Sequence, residues 1–271
     1  MSLTNAVETE LTSDGRFGDW RLILGHVYSH YTSGLDALGN SVPCAARVRC
    51  KLAEEGSARV VEELGDPGVR IALNRMLELH KAGKRELAFE LLPVLDAVES
   101  NLQEVRRLRF VGSNLTGLGA NIEVWTSDRS GPADEIFNSA FNKEIASSVS
   151  DEAVALCDPS PAMLSTLQRG LNLLISLVPR LAVGMLAHVR MVAVIDVADV
   201  SHRFGRVRYN MCQNVSTHAI PGTIFLSPTP LENEWRAAEA LLHEAMHKRL
   251  SDLVLTKSIF RTGFSSADSP T

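Results

Sequence analysis

The spacing of apolar residues is the feature that most constrains how this chain can fold. Through the first 108 residues, apolar side chains recur three and four positions apart, which is the period of a helix with one buried face. The clearest series is Leu87, Leu91, Leu95, Val98 and Leu102. The pattern predicts helices over 20–35, 43–53, 69–81 and 85–108. Pro93 should kink or split the last of them, because proline lacks the backbone N–H that a helix needs.

The pattern changes in the second half of the chain. A stretch rich in Gly, Ser, Asn and Asp covers 111–134 and predicts loops around one short strand at 121–126. Helices are expected over 133–147 and from Ser160 into the run before Pro179. Three short strands then follow at 189–197, 206–215 and 222–226, where β-branched residues are frequent.

Composition and charge limit the partners and the compartment. The chain has 271 residues, 45% of them hydrophobic, and 27 Lys and Arg against 32 Asp and Glu give a net charge of −5. Nucleic acid is therefore not expected as a partner, because no basic excess is present to neutralise phosphates. No signal peptide is evident, and charged residues interrupt the longest apolar region, 171–197, so no membrane partner is expected. The four cysteines form no CxxC pair, which is typical of a cytoplasmic protein.

The strongest motif is HExxH, formed by His243, Glu244 and His247. Four helical residues advance about 400°, so both imidazoles project from one face and can hold one metal ion. Glu244 is rotated by about 100° from His243, where it could take a proton from a metal-bound water or orient a substrate group. The alternative is a pair of solvated surface histidines.

The helix that carries the motif has predicted ends and a predicted buried face. We expect Thr229 to be its N-cap, with Pro230 at the first helical position and Glu232 completing a capping box. An apolar face should pack against the sheet, and it consists of Trp235, Leu242, Met246, Leu250 and Leu253.

The chain is thus expected to be α+β and predominantly helical, with a small antiparallel or mixed sheet packed on the long HExxH helix. Three regions are predicted: a helical scaffold over 1–110, a loop or linker over 111–132, and a metal-binding region over 133–271.

A complete zinc or non-haem iron site needs a third protein ligand. No histidine follows His247, and Leu250 and Leu253 occupy the Gly and His positions of the longer HExxHxxGxxH motif. The remaining carboxylates and histidines that could contribute are Glu239, Asp252, Asp268, His202 and His218. Each of them also has an ordinary explanation as a surface or loop residue.

The stretch 192–253 resembles the HExxH-motif proteins found beside ribosomal-peptide biosynthesis genes in bacteria. The shared features are the pair Pro221-Gly222 before a short apolar strand, a charged linker with a tryptophan, and a helix in which Lys/Arg and Leu follow HExxH. Such proteins have been described as iron- and 2-oxoglutarate-dependent peptide β-hydroxylases. They continue into a segment with an Arg-Pro pair and a further histidine, which this chain lacks, so this chain is a shortened member, takes its third ligand from elsewhere, or has lost activity.

The resemblance implies Fe(II) bound by His243 and His247, 2-oxoglutarate as the co-substrate, and a peptide or precursor peptide as the substrate. Arg261, the only arginine after Arg249, could pair with a 2-oxoglutarate carboxylate or be an ordinary surface residue. Two other functions stay open: a zinc metallopeptidase with Glu244 as general base, and a non-catalytic peptide-binding protein whose motif is vestigial.

Overall fold

The computed structural model describes residues 19–100, 108–109, 122–146, 154–197, 214–215 and 217–256. In these ranges the chain is mostly helical, and its strands form one small mixed sheet. The predicted α+β, predominantly helical fold class is therefore confirmed.

The first part of the chain is a series of helices. They are α1 (Trp20–Gly39), α2 (Pro43–Glu55), α3 (Ser57–Gly65), α4 (Pro67–Lys81), α5 (Arg85–Ala88) and α6 (Leu92–Glu99). Asp66 begins α4, because its carboxylate accepts hydrogen bonds from the backbone N–H groups of Gly68 and Val69. Together these helices bury one apolar cluster, which includes Val27, Leu73 and Leu95.

The helical region predicted over 85–108 is split near Pro93, as predicted, but it ends earlier than predicted. A 3-10 turn at Phe89–Leu91 separates α5 from α6. Pro93 lies in the first turn of α6, where its missing N–H leaves no helical hydrogen bond unmade, so the proline begins a helix here. The helix ends at Glu99, and residues 101–107 lie outside the described ranges.

The sheet is built around one central strand. Its strands are β1 (Leu108–Arg109), β2 (Glu123–Val124), β3 (Val154–Cys157), β4 (Met191–Val197), β5 (Asn214–Val215) and β6 (Thr223–Leu226). β6 runs parallel to β4 along one edge, from the Met191↔Thr223 pair onward. The other edge of β4 pairs first with β2 in parallel and then with β3 in antiparallel orientation. β5 borders β6 and runs antiparallel to it.

Three predicted strands coincide with β2, β4 and β6, and β5 lies at the end of a fourth. The sequence pattern did not predict β1 or β3. Residues 198–213, most of the predicted 206–215 strand, lie outside the described ranges.

Successive side chains of β4 point to opposite faces of the sheet, and both sets are apolar and buried. Helices therefore cover both faces. On one face, Phe137 and Phe141 of α7 (Pro132–Phe141) lie against Phe225 of β6. On the other face lie α8 (Pro161–Leu177), α9 (Pro179–Leu186) and α10 (Glu234–Leu255), which share a core with Val192 and Val194. No helix in the described ranges is long and apolar enough to cross a membrane.

Candidate metal centre

The HExxH motif lies on α10, whose start differs from the prediction. The N-cap is Asn233, whose side-chain oxygen accepts hydrogen bonds from Trp235 N at 2.8 Å and Arg236 N at 3.4 Å. Thr229–Glu232 forms a separate 3-10 turn before it. The predicted Thr229 cap with its Glu232 capping box is therefore wrong, because the extended backbone of Asn233 breaks the helical run between them.

The predicted buried face of α10 is also wrong, apart from Leu253. Trp235 is 60% exposed, Met246 44% and Leu250 51%, and Leu242 is half-buried. Small side chains face the sheet and α8 instead: Ala237, Ala238, Ala240 and Ala245, with Leu241 among them. They allow a close approach between two helices, since a Cβ added at Gly170 of α8 would lie 2.7 Å from the Cβ of Ala237.

This packing leaves the histidine pair on the exposed face of α10. The Nε2 atoms of His243 and His247 lie 3.1 Å apart, and their ring centroids are 4.7 Å apart. Two nitrogen ligands at about 2.1 Å from one ion are about 3.0 Å apart in an octahedral site and about 3.4 Å apart in a tetrahedral one. The pair is thus spaced for two positions of a metal site, and without a metal one imidazole can donate a hydrogen bond to the other.

Glu244 lies beside the pair on the buried side of the helix. It is 3% exposed, and its Oε1 is 3.9 Å from His243 Nε2. A carboxylate at this distance from a ligand atom can reach a water or a substrate group bound to the same metal.

No third protein ligand joins the pair within the described ranges. In those ranges, the one group of three His, Cys, Asp or Glu residues whose ligand atoms lie within 4.8 Å of one another is elsewhere, at Cys44, Asp96 and Glu99. Glu239 is exposed one turn before His243 without converging on the pair, and His218 is exposed in the turn before β6. His202, Asp268 and the predicted 2-oxoglutarate ligand Arg261 lie outside the described ranges.

Asp252 is excluded as a metal ligand because it belongs to a buried ion-pair network. Its Oδ1 accepts from Arg70 Nη2 at 2.7 Å, and its Oδ2 lies 2.8 Å from His188 Nδ1. Burial opposes ionisation of this carboxyl, but the charge of Arg70 and the hydrogen bond from His188 outweigh it and lower the pKa of Asp252 to about 2. Asp252 is therefore a carboxylate at neutral pH.

Lys248 extends the polar side of α10. Its Nζ donates to the backbone oxygens of Thr217 and Ile220, both at 2.7 Å, and it is 1% exposed. Burial, together with the charge of Arg70, lowers the pKa of Lys248 to about 7. The side chain fixes the turn before β6 against α10.

A second buried cluster surrounds Arg129. Its guanidinium contacts Asp134 at 2.7 Å and Glu123 at 3.3 Å, and Glu123 lies 3.6 Å from Arg190. Sequence reasoning missed both networks. Arg70 and Asp252 are far apart in the chain, whereas Glu123, Arg129 and Asp134 are close together but lie in the stretch 111–134, which was predicted to be mainly loop. The available signal was the pair His188 and Arg190 inside the apolar run 171–197, where unpaired polar groups would be costly.

In the group formed by Cys44, Asp96 and Glu99, positively charged side chains of the protein already contact Glu99. Arg47 Nε contacts Glu99 at 2.7 Å, and Lys51 donates to the backbone oxygen of Glu99. Burial and the hydrogen bond to Asp96 raise the pKa of the Cys44 thiol to about 12, so the thiol is protonated. Metal binding would require the loss of this proton, which the raised pKa opposes.

No family model matches this chain, and no curated protein matches it in sequence.

Proposed function

We propose that this protein is a metal-dependent enzyme that modifies a peptide, and that His243 and His247 hold its metal. The observation that carries the proposal is the 3.1 Å separation of the two Nε2 atoms on an exposed helix face. Two imidazoles on one rigid helix are positioned for a metal before it arrives, and their exposure leaves its other positions open to a substrate.

The reaction we propose is β-hydroxylation of a ribosomally made peptide, with Fe(II) and 2-oxoglutarate. Its support is the resemblance of 192–253 to the HExxH proteins of peptide biosynthesis. Iron with 2-oxoglutarate supplies oxygen activation when it is bound. The residues of this chain would hold and orient the reactants: the histidines would fix the ion on α10, and Glu244 would orient a substrate group bound to it. We place the reaction in the cytoplasm, which agrees with the free thiols of Cys44, Cys50 and Cys157.

Anaerobic titration of metal-free protein with Fe(II), followed by a succinate assay with 2-oxoglutarate and oxygen, tests this proposal. We expect one tightly bound Fe(II) per chain and succinate formation. H243A and H247A should each weaken Fe(II) binding by at least about 100-fold, because each removes one of the two imidazole ligands. H26A, which removes an exposed histidine of α1, is the matched control. It should change neither the affinity for Fe(II) nor the rate of succinate formation. Protein that binds no stoichiometric metal would support the non-catalytic peptide-binding alternative.

A second function, zinc-dependent peptide hydrolysis, is favoured by the position of Glu244. Its carboxylate, 3.9 Å from His243 Nε2, could serve as general base for a zinc-bound water. In that case E244Q should retain Zn(II) and lose about 100- to 10,000-fold in cleavage of a fluorogenic peptide mixture. Cleavage by zinc-loaded protein with no succinate formed by iron-loaded protein would replace the hydroxylase proposal with this one.

A further inference from the structure

The exposed face of α10 carries more than the histidine pair. Large apolar side chains lie along the same face, and four of them are 44% to 60% exposed: Trp235, Met246, Leu250 and Val254. With 100° per residue, these side chains and Arg236, Glu239, Leu242, His243 and His247 fall within an arc of about 140°. We call these nine residues the α10 stripe. Single exposed apolar residues are ordinary, but a continuous row around two metal-binding side chains marks a binding surface.

The metal site on this stripe is incomplete within one chain. Iron enzymes of the facial-triad type use two histidines and one carboxylate. Within the described ranges, no carboxylate comes within 4.8 Å of both imidazole nitrogens. Glu239 is the exposed acidic residue of the stripe, and its ligand atoms do not converge with the pair in the same chain.

We propose that two copies of this chain pair through the α10 stripe in antiparallel orientation, and that Glu239 of the partner subunit completes the His243–His247 site. This inference rests on the proposed metal site and adds its third ligand. Glu239 lies four residues before His243, and His247 lies four residues after it, about 6 Å along the axis in each direction. A two-fold axis through His243 therefore lays the partner's Glu239 opposite His247 and creates two equivalent sites.

The same register matches the rest of the stripe. Trp235 lies eight residues before His243, and Leu250 lies seven residues after it. The indole therefore meets the partner subunit's Leu250 at each end of the contact. The apolar side chains flank the metal site on both sides, as a self-complementary two-fold contact requires.

Charge favours the antiparallel orientation over the parallel one. The exposed charged residues of the stripe are Arg236 and Glu239. A parallel pair would place each of them beside its own copy, so that like charges meet across the contact. The antiparallel pair keeps like charges apart, because Arg236 then faces the partner subunit's Leu250 and Glu239 lies near a bound cation.

The size of the stripe predicts that pairing depends on the metal. Stable interfaces use about 20 to 30 residues on each side, and the stripe has fewer than half of these. The metal ions that bridge the two helices must therefore supply much of the association free energy. Metal-free protein should be monomeric, and protein loaded with Fe(II) or Zn(II) should be a dimer with two ions.

Sedimentation velocity combined with metal analysis tests the pairing. We expect chelator-treated protein to sediment as a monomer and anaerobic Fe(II) or Zn(II) to convert it to the dimer. L250K places a lysine opposite the partner subunit's Arg236 and should abolish the dimer and weaken metal binding at least tenfold. L22K changes a leucine of α1 that is 50% exposed, close to the 51% of Leu250, and should leave both unchanged. Unchanged circular dichroism melting would show that L250K is folded.

Mixing two defective variants tests whether Glu239 acts across the dimer. E239Q retains the histidines, and the H243A/H247A double variant retains Glu239, so neither should bind metal tightly alone. A one-to-one mixture should regain one tight metal site per mixed dimer, because the histidines of one chain meet the intact carboxylate of the other. A mixture that regains no tight metal site would overturn the inference. A wild-type protein that binds one ion per two chains, or that stays a monomer when loaded with metal, would also overturn it. A dimer with two ions that forms no succinate would instead reject the proposed reaction and leave the pairing intact.

Discussion

Arg70 and Asp252 form a buried ion pair although 182 positions separate them in the chain. The guanidinium of Arg70 lies on α4 and the carboxylate of Asp252 on α10, 2.7 Å apart, with 4% and 3% of each residue exposed. His188, at the end of α9, contacts the second carboxylate oxygen. Helix α4, in the first part of the chain, therefore holds α10 through an ion pair near the carboxyl-terminal end of α10.

Removing this charge should destabilise the whole chain. D252N keeps the shape of the side chain but leaves the Arg70 charge buried without its counter-ion, so we expect the free energy of unfolding to fall by about 3 kcal/mol or more. Urea unfolding followed by circular dichroism measures it. R169Q breaks the exposed Arg169–Glu234 pair and should lower the free energy of unfolding by less than about 1 kcal/mol. Equal losses in the two variants would contradict a special role for the buried pair.

The same pair should make stability depend on acid pH. The pKa of Asp252 is about 2 in the folded chain, below the ordinary value of about 3.9 in the unfolded chain. The unfolded state therefore binds more protons between these values, and stability is lost as the pH falls from about 4 toward 2. The contribution is about 2 to 3 kcal/mol. In urea titrations over this pH range, the free energies of unfolding of the wild type and D252N should converge, and a constant difference would count against this assignment.

Sequence periodicity did not predict the short helix α3, but it predicted the longer helices and the central strands, because each of these elements repeats its own burial pattern locally. It failed at α10, where the buried side holds alanines, Glu244, Lys248 and Asp252. Their partners, such as Arg70 and the turn before β6, come from distant parts of the chain, and only the tertiary structure brings them together. The spacing of His243 and His247 was predictable because it depends on one helix alone, whereas a third ligand depends on elements that no local pattern specifies.

Close packing between α8 and α10 gives a prediction about glycine. G170A would place a Cβ 2.7 Å from the Ala237 Cβ and 3.0 Å from two backbone atoms of α10, so the helices must separate. We expect the free energy of unfolding to fall by about 1 to 3 kcal/mol, although alanine has a better helix propensity than glycine. G25A is the matched control, because Gly25 lies in α1 with nothing within 4 Å of an added Cβ, and it should gain about 0.5 to 1 kcal/mol. Thermal or urea unfolding that shows a gain for G170A would refute the close approach.

The cysteines should differ in reactivity. Burial and the hydrogen bond to Asp96 raise the pKa of Cys44 to about 12, whereas Cys50, on the same helix, is exposed. Because the thiolate is the reactive form, Cys44 at pH 8 should react with iodoacetamide about a thousandfold more slowly than an ordinary thiol, and burial slows it further. Peptide mass spectrometry over a labelling time course should show early modification of Cys50 and an unmodified Cys44. The two cysteines should label at similar rates in urea, since unfolding removes the protection. Similar rates in the folded chain would contradict the buried, hydrogen-bonded environment of Cys44.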